Sequence, residues 1–305
     1  MKLLTFADVE RGARLGVALD DRVYDLQRMA AQYGVALPAD MLSLLQLGKP
    51  GLETAQSLVE AIAEDRLPGM PLARTRLLAP ILRPPKILAL AGNYVEHVRE
   101  SGWQMPDKTG VTPRVFIKPA TAVIGPDAPI IAPRLTKELD YELEMAAVIG
   151  ATCKDVSAAD ALAYVAGYMV FNDVSARSLT VAQGRTARPW DDFFDWLNGK
   201  WFDTFAAMGP YLVTADEVGD PQSLDMKLTV NGEVRQDATT AMMVFSVAEL
   251  VAWCAQFMTL EPGDIIATGT PSGVGKARGI FLQPGDVVEG TIAKLGTLRN
   301  PVAAG

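Results

Sequence analysis

The stretch that most constrains this chain is a pair of acids set inside an apolar run. Glu142 and Glu144 stand two residues apart, and residues 145–150 continue the run without a charge. Side chains two positions apart in a strand point to the same face, so both carboxylates would be aimed at one place. Two like charges raise each other's pKa unless a cation lies between them. The pair indicates either half of a divalent metal site or the solvent-facing side of a half-buried strand.

The composition favours a globular protein that acts on small molecules. The chain has 305 residues, 49% hydrophobic and 21% charged, which suits two domains or one large domain with a small addition. A net charge of -8 without a Lys/Arg-rich block argues against nucleic acid and anionic membranes as partners. The only cysteines are Cys153 and Cys254, so we expect no disulfide framework. The first acid, Asp8, comes too early for a signal peptide, and a cytoplasmic protein is expected.

The N-terminal quarter predicts a small α+β domain without obvious chemistry. Its predicted elements are a strand, a hairpin turning at Asp20-Asp21, and two helices, at residues 3–7, 13–26, 41–45 and 54–63. Prolines at intervals between residues 66 and 85 exclude regular helix and central strand there. We therefore place a boundary near Thr75, between an N-terminal domain of residues 1–75 and a larger domain of residues 76–305.

The only histidine of the chain, His97, follows a predicted strand at residues 86–90 and a Gly92-Asn93 break. Glu100 comes one helical turn later, where a carboxylate can hold a ring nitrogen and keep the imidazole basic. The alternative is a structural or merely exposed histidine. Residues 101–110 mix Gly, Pro and Trp, as mobile active-site covers do, or form an ordinary surface loop.

A third acid, Asp173, ends the strongly apolar predicted strand 164–171. It would complete a three-carboxylate site with Glu142 and Glu144, of the kind that hard cations choose. The alternative is an N-cap for a helix beginning at Val174. Ser157 and Asp160 form the pattern of a capping box, which predicts a further helix. Lys118 is predicted as a flanking charge, and Lys200, judged from its surroundings alone, as a surface lysine. The aromatic segment 185–201 is compatible with a core, a pocket or a subunit contact.

The last third of the chain predicts a rolled sheet. Asn231-Gly232 is a strong two-residue hairpin turn, and Ser246 with Glu249 forms a capping box for a helix through Phe257. Two Pro-Gly-Asp turns, at 262–264 and 284–286, each precede a β-branched strand. The glycine-rich stretch 267–275 lacks the order of a phosphate loop, so it is either a backbone cradle for a carboxylate or a plain loop.

Six motifs, taken in order, resemble the fumarylacetoacetate hydrolase family, in particular its bacterial members with a short N-terminal domain. The resemblance covers about residues 80–302, and its motifs are Gly92-Asn93-Tyr94 with His97, residues 140–144, 171–177, 199–205 and 230–233, and the glycine-rich residues 269–275. It implies an α+β, β-rich catalytic domain with a rolled mixed sheet. It also implies a homodimer that binds Mg²⁺, Mn²⁺ or another divalent cation.

The resemblance also implies roles for single residues. Glu142, Glu144 and Asp173 match the metal ligands, and His97 with Glu100 matches the His-x-x-Glu pair of the acylpyruvase-like members. Lys200 matches a lysine that reaches a substrate or metal-bound oxygen. Arg177 and Thr270 are predicted to bind substrate. Two departures, Ser178 and Thr180 in place of Asp and Gln, argue against identity with the enzyme that names the family.

These assignments lead to a hypothesis of Mg²⁺-dependent hydrolysis of a carbon–carbon bond in a 2,4-dioxo acid such as an acylpyruvate, which releases pyruvate and a carboxylic acid. A decarboxylase acting on an oxaloacetate-like 2-oxo acid, or an enol–keto isomerase, would use the same metal site. A metal-binding scaffold without catalysis is the third alternative, and His97, Glu100 and Lys200 argue against it.

Overall fold

A computed structural model describes residues 1–102, 104, 107–179, 181–182 and 184–305. Its strands are β1 (Lys2–Asp8), β2 (Gly12–Leu19), β3 (Arg22–Asp25), β4 (Met70–Pro71), β5 (Leu77–Leu78), β6 (Ile87–Ala91), β7 (Arg114–Lys118), β8 (Val123–Ile124), β9 (Ile130–Ala132), β10 (Leu139–Asp140), β11 (Leu143–Ile149), β12 (Val165–Asp173), β13 (Ser175–Ala176), β14 (Ala206–Thr214), β15 (Asp225–Val230), β16 (Glu233–Thr239), β17 (Ile265–Ala267), β18 (Val287–Ile292) and β19 (Gly296–Ala304).

The α-helices are shorter elements between these strands. They are α1 (Leu26–Gln32), α2 (Met41–Gln46), α3 (Gly48–Glu64), α4 (Val95–Glu100), α5 (Asp191–Asn198), α6 (Ala215–Val218), α7 (Val247–Phe257) and α8 (Gly275–Arg278). Short 3₁₀ helices lie at Leu72–Arg74, Lys108–Gly110, Ala120–Ala122, Ala161–Tyr164 and Thr240–Met242. The predicted α+β, β-rich fold is confirmed.

The largest sheet runs through the whole molecule, in the order β4-β3-β2-β1-β14-β12-β11-β17-β6-β7. Its central strands β11 and β12 are buried along their full length, which explains why their sequences are nearly continuous apolar runs. The N-terminal β1 pairs antiparallel with β14, so the first strand of the chain extends the sheet that carries the acid pair. The division of the chain near Thr75 stays a prediction.

A second sheet, in the order β16-β15-β18-β19-β9, packs on one face of the first. Leu143 and Val170 of the large sheet share a buried core with Leu228 and Val288 of the second sheet. The opposite face of β11 and β12 packs in another core with the N-terminal helices, for example through Leu58 of α3. The alternation of side chains places Glu144 on this second face, because Ala146 and Val148 of the same phase belong to that core.

The local turn and cap signals are confirmed where they were strongest. Asn231 and Gly232 both have positive φ angles, 52° and 79°, as a two-residue hairpin turn requires. At the start of α7, Ser246 and Glu249 form both hydrogen bonds of a capping box. Each Pro-Gly-Asp turn lies directly before a strand, β17 or β18. These signals act over a few residues and need no distant partner.

Two helix predictions are wrong. Ser157 bonds the Asp160 carboxylate at 2.7 Å, but the chain then makes a turn and the 3₁₀ helix Ala161–Tyr164 in place of an α-helix. Asp173 is the last residue of β12, and residues 175–176 form β13, which pairs with β10. No helix begins at Val174, because the backbone of this segment finds its partners in β10. Residues 66–85, predicted as a linker or extended arm without regular helix or central strand, contain only the two-residue strands β4 and β5 and the 3₁₀ helix Leu72–Arg74.

Candidate metal centre and active site

Three carboxylates meet at one place on the large sheet. Glu142 lies just before β11, Glu144 lies within it, and Asp173 ends the neighbouring strand β12. One oxygen of each residue lies within 4.8 Å of the others, and all three residues are buried. The backbone N–H of Asp173 donates to the Glu142 carbonyl at 2.9 Å, which holds the two strand ends together. The alternative of a solvent-facing Glu142/Glu144 pair is therefore wrong.

Two lysines reach into this acid cluster. The Lys200 ammonium donates to Glu142 Oε2 and to Asp173 Oδ2, each at 2.7 Å. The Lys118 ammonium donates to the other oxygen of Asp173 and is completely buried, so its prediction as a flanking charge is wrong. Sequence alternation held a signal for this position, because Lys118 shares the buried face of β7 with Phe116.

The acids of the cluster are unequally compensated. Burial raises the pKa of Glu144 well above its usual range, and the charges of Asp173 and Glu142 raise it further. Burial also acts on Glu142, but the positive charges of Lys200 and Arg177 outweigh it and hold that pKa well below its usual range. Glu144 Oε1 is buried and has no hydrogen-bond partner among the described residues. A buried carboxylate oxygen without a donor is costly unless a cation binds it.

The cluster therefore fits a divalent cation. Three carboxylates are the hard oxygen ligands that Mg²⁺ and Mn²⁺ prefer, and the Glu144 oxygen without a donor is available to such an ion. In the described part of the chain, the only protein cations in direct contact with Asp173 are Lys200 and Lys118.

Arg177 connects the cluster to the glycine-rich loop. Its Nε donates to Asp140 Oδ2 at 2.7 Å, and its Nη2 forms an ion pair with Glu142 Oε1 at 2.6 Å. The buried Asp140 also accepts the backbone N–H groups of Gly275 and Lys276, at 2.6 and 3.0 Å. Arg177 thus lies beside the cavity described below while both of its contacts are to carboxylates of the protein.

His97 and Glu100 make the contact expected from their spacing on α4. His97 Nδ1 lies 2.8 Å from Glu100 Oε1, and Glu100 Oε2 accepts the backbone N–H of Gly273 at 2.8 Å. Gly273 has a φ of 104°, and a Cβ atom there would meet the Arg235 carbonyl at 2.1 Å, so only glycine presents its N–H in this way. Because a carboxylate can only accept, the neutral His97 ring carries its proton on Nδ1. Its Nε2 then has no proton and can accept one.

These groups border one cavity of 340 Å³. Its lining includes six of the predicted site residues together with other side chains: His97, Glu100, Glu142, Arg177, Lys200 and Thr270, with Phe116, Trp196, Val274 and Lys276 among the rest. Glu144 and Asp173 are not part of the lining, and both are fully buried. A neighbouring cavity of 600 Å³ shares Gly92, His97 and Ser101 with the first and extends to Arg114. The expected loop cover lies partly outside the described residues, since Trp103, Met105 and Pro106 are among those left out.

The aromatic side chains between residues 190 and 201 lie in two different environments. Trp196 of α5 packs edge-on against Phe116 at 5.1 Å between ring centroids, and both rings lie beside the Lys200 ammonium, at 5.9 and 5.3 Å. Such rings favour a cation next to them. Gly199 allows Lys200 to approach, because a Cβ at 199 would meet the Ala176 carbonyl at 2.2 Å. Trp190, in contrast, is exposed.

Lys276 is a cavity residue that sequence reasoning missed. It lies in the short helix α8 after the glycine-rich loop and borders the 340 Å³ cavity. Among the described residues it forms no ion pair with a carboxylate, whereas Arg177 and Lys200 are both paired. A lysine in a four-residue helix carries no distinctive sequence pattern, so only its position beside the cavity marks it.

Comparison with known proteins agrees with this geometry. The family model described as fumarylacetoacetate (FAA) hydrolase C-terminal matches residues 86–303. The chain belongs to the fumarylacetoacetate hydrolase family. The match begins just before β6 and covers β11 and β12, which carry the acid cluster, as well as Lys200 and the glycine-rich loop. The predicted resemblance is confirmed.

Two curated relatives carry the name of the same activity. Oxaloacetate tautomerase Fahd2a, mitochondrial, of Rattus norvegicus is 42% identical over 269 residues, which are 88% of this chain and 80% of the relative. Oxaloacetate tautomerase fahd2, mitochondrial, of Xenopus laevis is 38% identical over 307 residues, covering 99% of this chain and 90% of the relative. Similarity over such lengths shows a shared family fold.

Solved structures of the family are similar over the whole chain. Fumarylacetoacetate hydrolase from Exiguobacterium antarcticum has a TM-score of 0.78 at 31% identity, with full coverage of both chains. Maleylpyruvate hydrolase from Sphingobium sp. SYK-6, in complex with manganese(II) and pyruvate, has a TM-score of 0.77 at 33% identity, again with full coverage of both. The family thus includes hydrolases as well as tautomerases that act on small acids.

The expected cellular location and the expected homodimer are not tested by these comparisons. Within the described residues no helix has the length and apolar character needed to cross a membrane. The names of the curated relatives above place those proteins in mitochondria, and the cytoplasmic location expected for this chain stays a prediction. The homodimer likewise stays a prediction.

Proposed function

We propose that this protein is a divalent-metal-dependent tautomerase that interconverts the enol and keto forms of oxaloacetate. The observation that carries the proposal is a single cavity. It is bordered by a candidate base, His97, by Glu142 of the acid cluster, and by two cations, Lys200 and Lys276. The names of relatives 38–42% identical to this chain support it. The proposal replaces hydrolysis, the leading hypothesis from sequence, with one of its alternatives.

The metal would be held by Glu142, Glu144 and Asp173, and when bound it supplies Lewis acidity toward the carboxylate and 2-oxo oxygens of the substrate. His97 Nε2, which carries no proton because Nδ1–H bonds Glu100, takes a proton from C3 of the keto form and returns it to C3 in the reverse direction. The oxygen at C2 gains its proton from water as the enol forms and gives it back to water as the keto form returns. The Gly273 N–H holds Glu100 from the other side, so the ring keeps its orientation.

Lys200 has a donor left for the substrate. Its ammonium carries three N–H bonds, of which two go to Glu142 and Asp173. The third can donate to the oxygen at C2, where negative charge develops as C3 loses its proton. A cation already held in place by protein carboxylates stabilises this charge without reorganising.

The second carboxylate of oxaloacetate is matched by Lys276. This lysine borders the cavity, and no described carboxylate pairs with it. Thr270, buried on the same cavity, offers a hydroxyl to the carboxylate next to C2. A four-carbon dicarboxylate can therefore contact both groups, whereas a monocarboxylate would leave the exposed Lys276 to water.

Hydrolysis of an acylpyruvate is the second candidate. It is favoured by one observation, the similarity in structure to a maleylpyruvate hydrolase in complex with manganese(II) and pyruvate. A 2,4-dioxo acid carries the same carboxylate and 2-oxo group, so the same residues would bind it. Decarboxylation of oxaloacetate is a further outcome that the site chemistry permits.

The test compares three reactions with the same metal-loaded protein. Ketonisation of enol-oxaloacetate is followed by the loss of its ultraviolet absorbance, cleavage of acetylpyruvate by the pyruvate formed, and decarboxylation by released CO₂. We expect rapid ketonisation that chelator abolishes and that the variant His97→Asn lacks while still binding metal. Cleavage or CO₂ release without ketonisation would overturn the proposal.

A further inference from the structure

Gln236 lies behind the cavity and contacts both halves of the site. It belongs to β16 of the second sheet and is 1% exposed. Its Oε1 accepts the backbone N–H of Leu143, the residue between Glu142 and Glu144, at 2.9 Å. Its Nε2 donates to Thr270 Oγ1 and to the Pro271 carbonyl, both at 2.8 Å. One side chain thus joins β11, the strand that carries Glu144, to the glycine-rich loop.

The orientation of this amide is determined by its partners. The Leu143 N–H can only donate and the Pro271 carbonyl can only accept, so Oε1 must face Leu143 and Nε2 must face the loop. Both protons of Nε2 are then used, one on Pro271 and one on Thr270. A flipped amide would bring two donors together at Leu143 and two acceptors together at Pro271.

The direction of the bond to Thr270 determines what that hydroxyl can do. Because Gln236 donates to Oγ1, the Thr270 O–H is not needed as a donor toward Gln236 and can turn to the cavity that Thr270 borders. Thr270 is 2% exposed, so little water competes for its proton. The hydroxyl is therefore a donor poised for an acceptor such as a carboxylate.

We propose that Gln236 is a positioning residue, which makes the Thr270 hydroxyl a donor to the substrate carboxylate. The inference rests on the proposed function for the identity of the substrate. It goes beyond that function by assigning a role to a residue that does not border the cavity.

Gln236 also stabilises the fold, so a control must match its structural cost. Asn300 of β19 lies in the same sheet, is 1% exposed, and donates through Nδ2 to the Gly125 and Ala128 carbonyls, both at 2.9 Å. The variants Gln236→Glu and Asn300→Asp each replace a buried amide by an acid of the same shape, and each loses two donated hydrogen bonds. Asn300 lies outside the lining of the 340 Å³ cavity.

The experiment measures ketonisation of enol-oxaloacetate by the metal-loaded protein. In Gln236→Glu the new carboxylate accepts from Thr270, which turns the hydroxyl away from the cavity. We expect KM to rise about tenfold, the value of one hydrogen bond to a charged group, while kcat changes less than about threefold. The control Asn300→Asp should keep KM within about twofold. An equal rise in both variants would overturn the inference.

A double-mutant cycle with Thr270→Val separates positioning from a general effect of charge. If Gln236 acts through the hydroxyl, Gln236→Glu adds no further rise in KM once Thr270 is Val. A rise of the same size in both backgrounds would show that the effect does not pass through Thr270 and would overturn the inference. Should Gln236→Glu fail to fold, Thr270→Ser and Thr270→Val are compared in its place: Ser keeps the donor and should keep KM within about twofold, whereas Val should raise KM about tenfold. An unchanged KM in Thr270→Val would overturn the inference. Absence of ketonisation in the unmodified protein would instead contradict the proposed function.

Discussion

Single residues of the acid cluster differ in how well their charges are compensated. Glu142 lies against Lys200 and Arg177, while Asp173 lies against Lys200 and Lys118. Glu144 has no cation in direct contact within the described chain, and only the Gly269 N–H donates to it, at 2.8 Å. Glu144 is therefore the acid whose burial most needs a bound metal, and removing its charge tests the metal assignment most directly.

The variant Glu144→Gln is expected to lose metal affinity. The amide keeps the shape of the side chain but removes the anionic oxygen, so Mn²⁺ affinity should fall by at least about 100-fold. Calorimetric titration with Mn²⁺ measures this loss, and the exposed Glu261→Gln serves as the control with unchanged affinity. Retention of tight Mn²⁺ binding by Glu144→Gln would contradict the assignment of the cluster as the metal site.

The variant Lys276→Ala is expected to lose preference for a dicarboxylate. Loss of this exposed cation should raise KM for enol-oxaloacetate by about twofold to fivefold, as expected for a solvent-screened ion pair. Metal-dependent hydrogen–deuterium exchange at C3 of pyruvate, which has no second carboxylate, should be unchanged in nuclear magnetic resonance spectra. An equal loss with both acids would mean that Lys276 supports the site as a whole.

At the scale of elements, the site is assembled from two adjacent strands, the short helix α4, the residues that follow α5 and the glycine-rich loop. Glu144 and Asp173 come from adjacent strands, Lys200 follows α5, and the His97–Glu100 pair lies on α4. The glycine-rich loop bonds two of these parts, through Gly269 to Glu144 and through Gly273 to Glu100. The loop therefore holds α4 in place relative to the acid cluster. It does so through backbone N–H groups of glycines, which explains why glycine is frequent between residues 269 and 275.

Two serines with the same sequence signal should differ in their effect on stability. Ser246 caps α7 with both bonds of the capping box, whereas the Ser157 hydroxyl donates to the Asp160 side chain in an exposed turn. Ser246→Ala should lower the free energy of unfolding by about 1 kcal/mol. Ser157→Ala should change it by less than about 0.5 kcal/mol, as other surface substitutions do. Urea unfolding of both variants checks the difference, and equal losses would contradict it.

At the scale of the whole molecule, the N-terminal quarter and the remaining chain share one sheet and one core. The Met1 ammonium donates to Thr214 Oγ1 at 2.6 Å, and β1 pairs with β14. Leu58 of α3 belongs to the same buried core as Met208 of β14 and Ala146 of β11. Unfolding the first 75 residues would expose this core and the edge of β14.

We therefore expect one cooperative unfolding transition for the full chain. Calorimetric and van't Hoff enthalpies of heat unfolding should agree, both without metal and with saturating Mn²⁺. Metal should shift the whole transition to higher temperature, because it binds only the folded state. Two separate transitions would indicate that the N-terminal residues unfold independently.

The sequence by itself determined the features that depend on neighbours within a few positions. The common face of Glu142 and Glu144, the bond of His97 to Glu100, the Asn231-Gly232 turn and the capping box at Ser246 follow from strand, helix and turn periodicity. The family motifs added the pairing of distant segments. Ser157 shows the limit of such local rules, because the following chain did not supply an α-helix for it to cap.

Only the tertiary structure decided which charges meet. Lys118 lies 55 residues from Asp173 in sequence, and Gln236 lies 93 residues from Leu143. No local rule covers such distances, because these contacts arise where separate strands converge and exclude water. Burial turned Lys118 from an expected flanking charge into a partner of Asp173, and it left one oxygen of Glu144 without a donor. The sequence was enough to identify Glu142, Glu144 and Asp173 as candidate metal ligands. Their need for a cation follows from the packing around them.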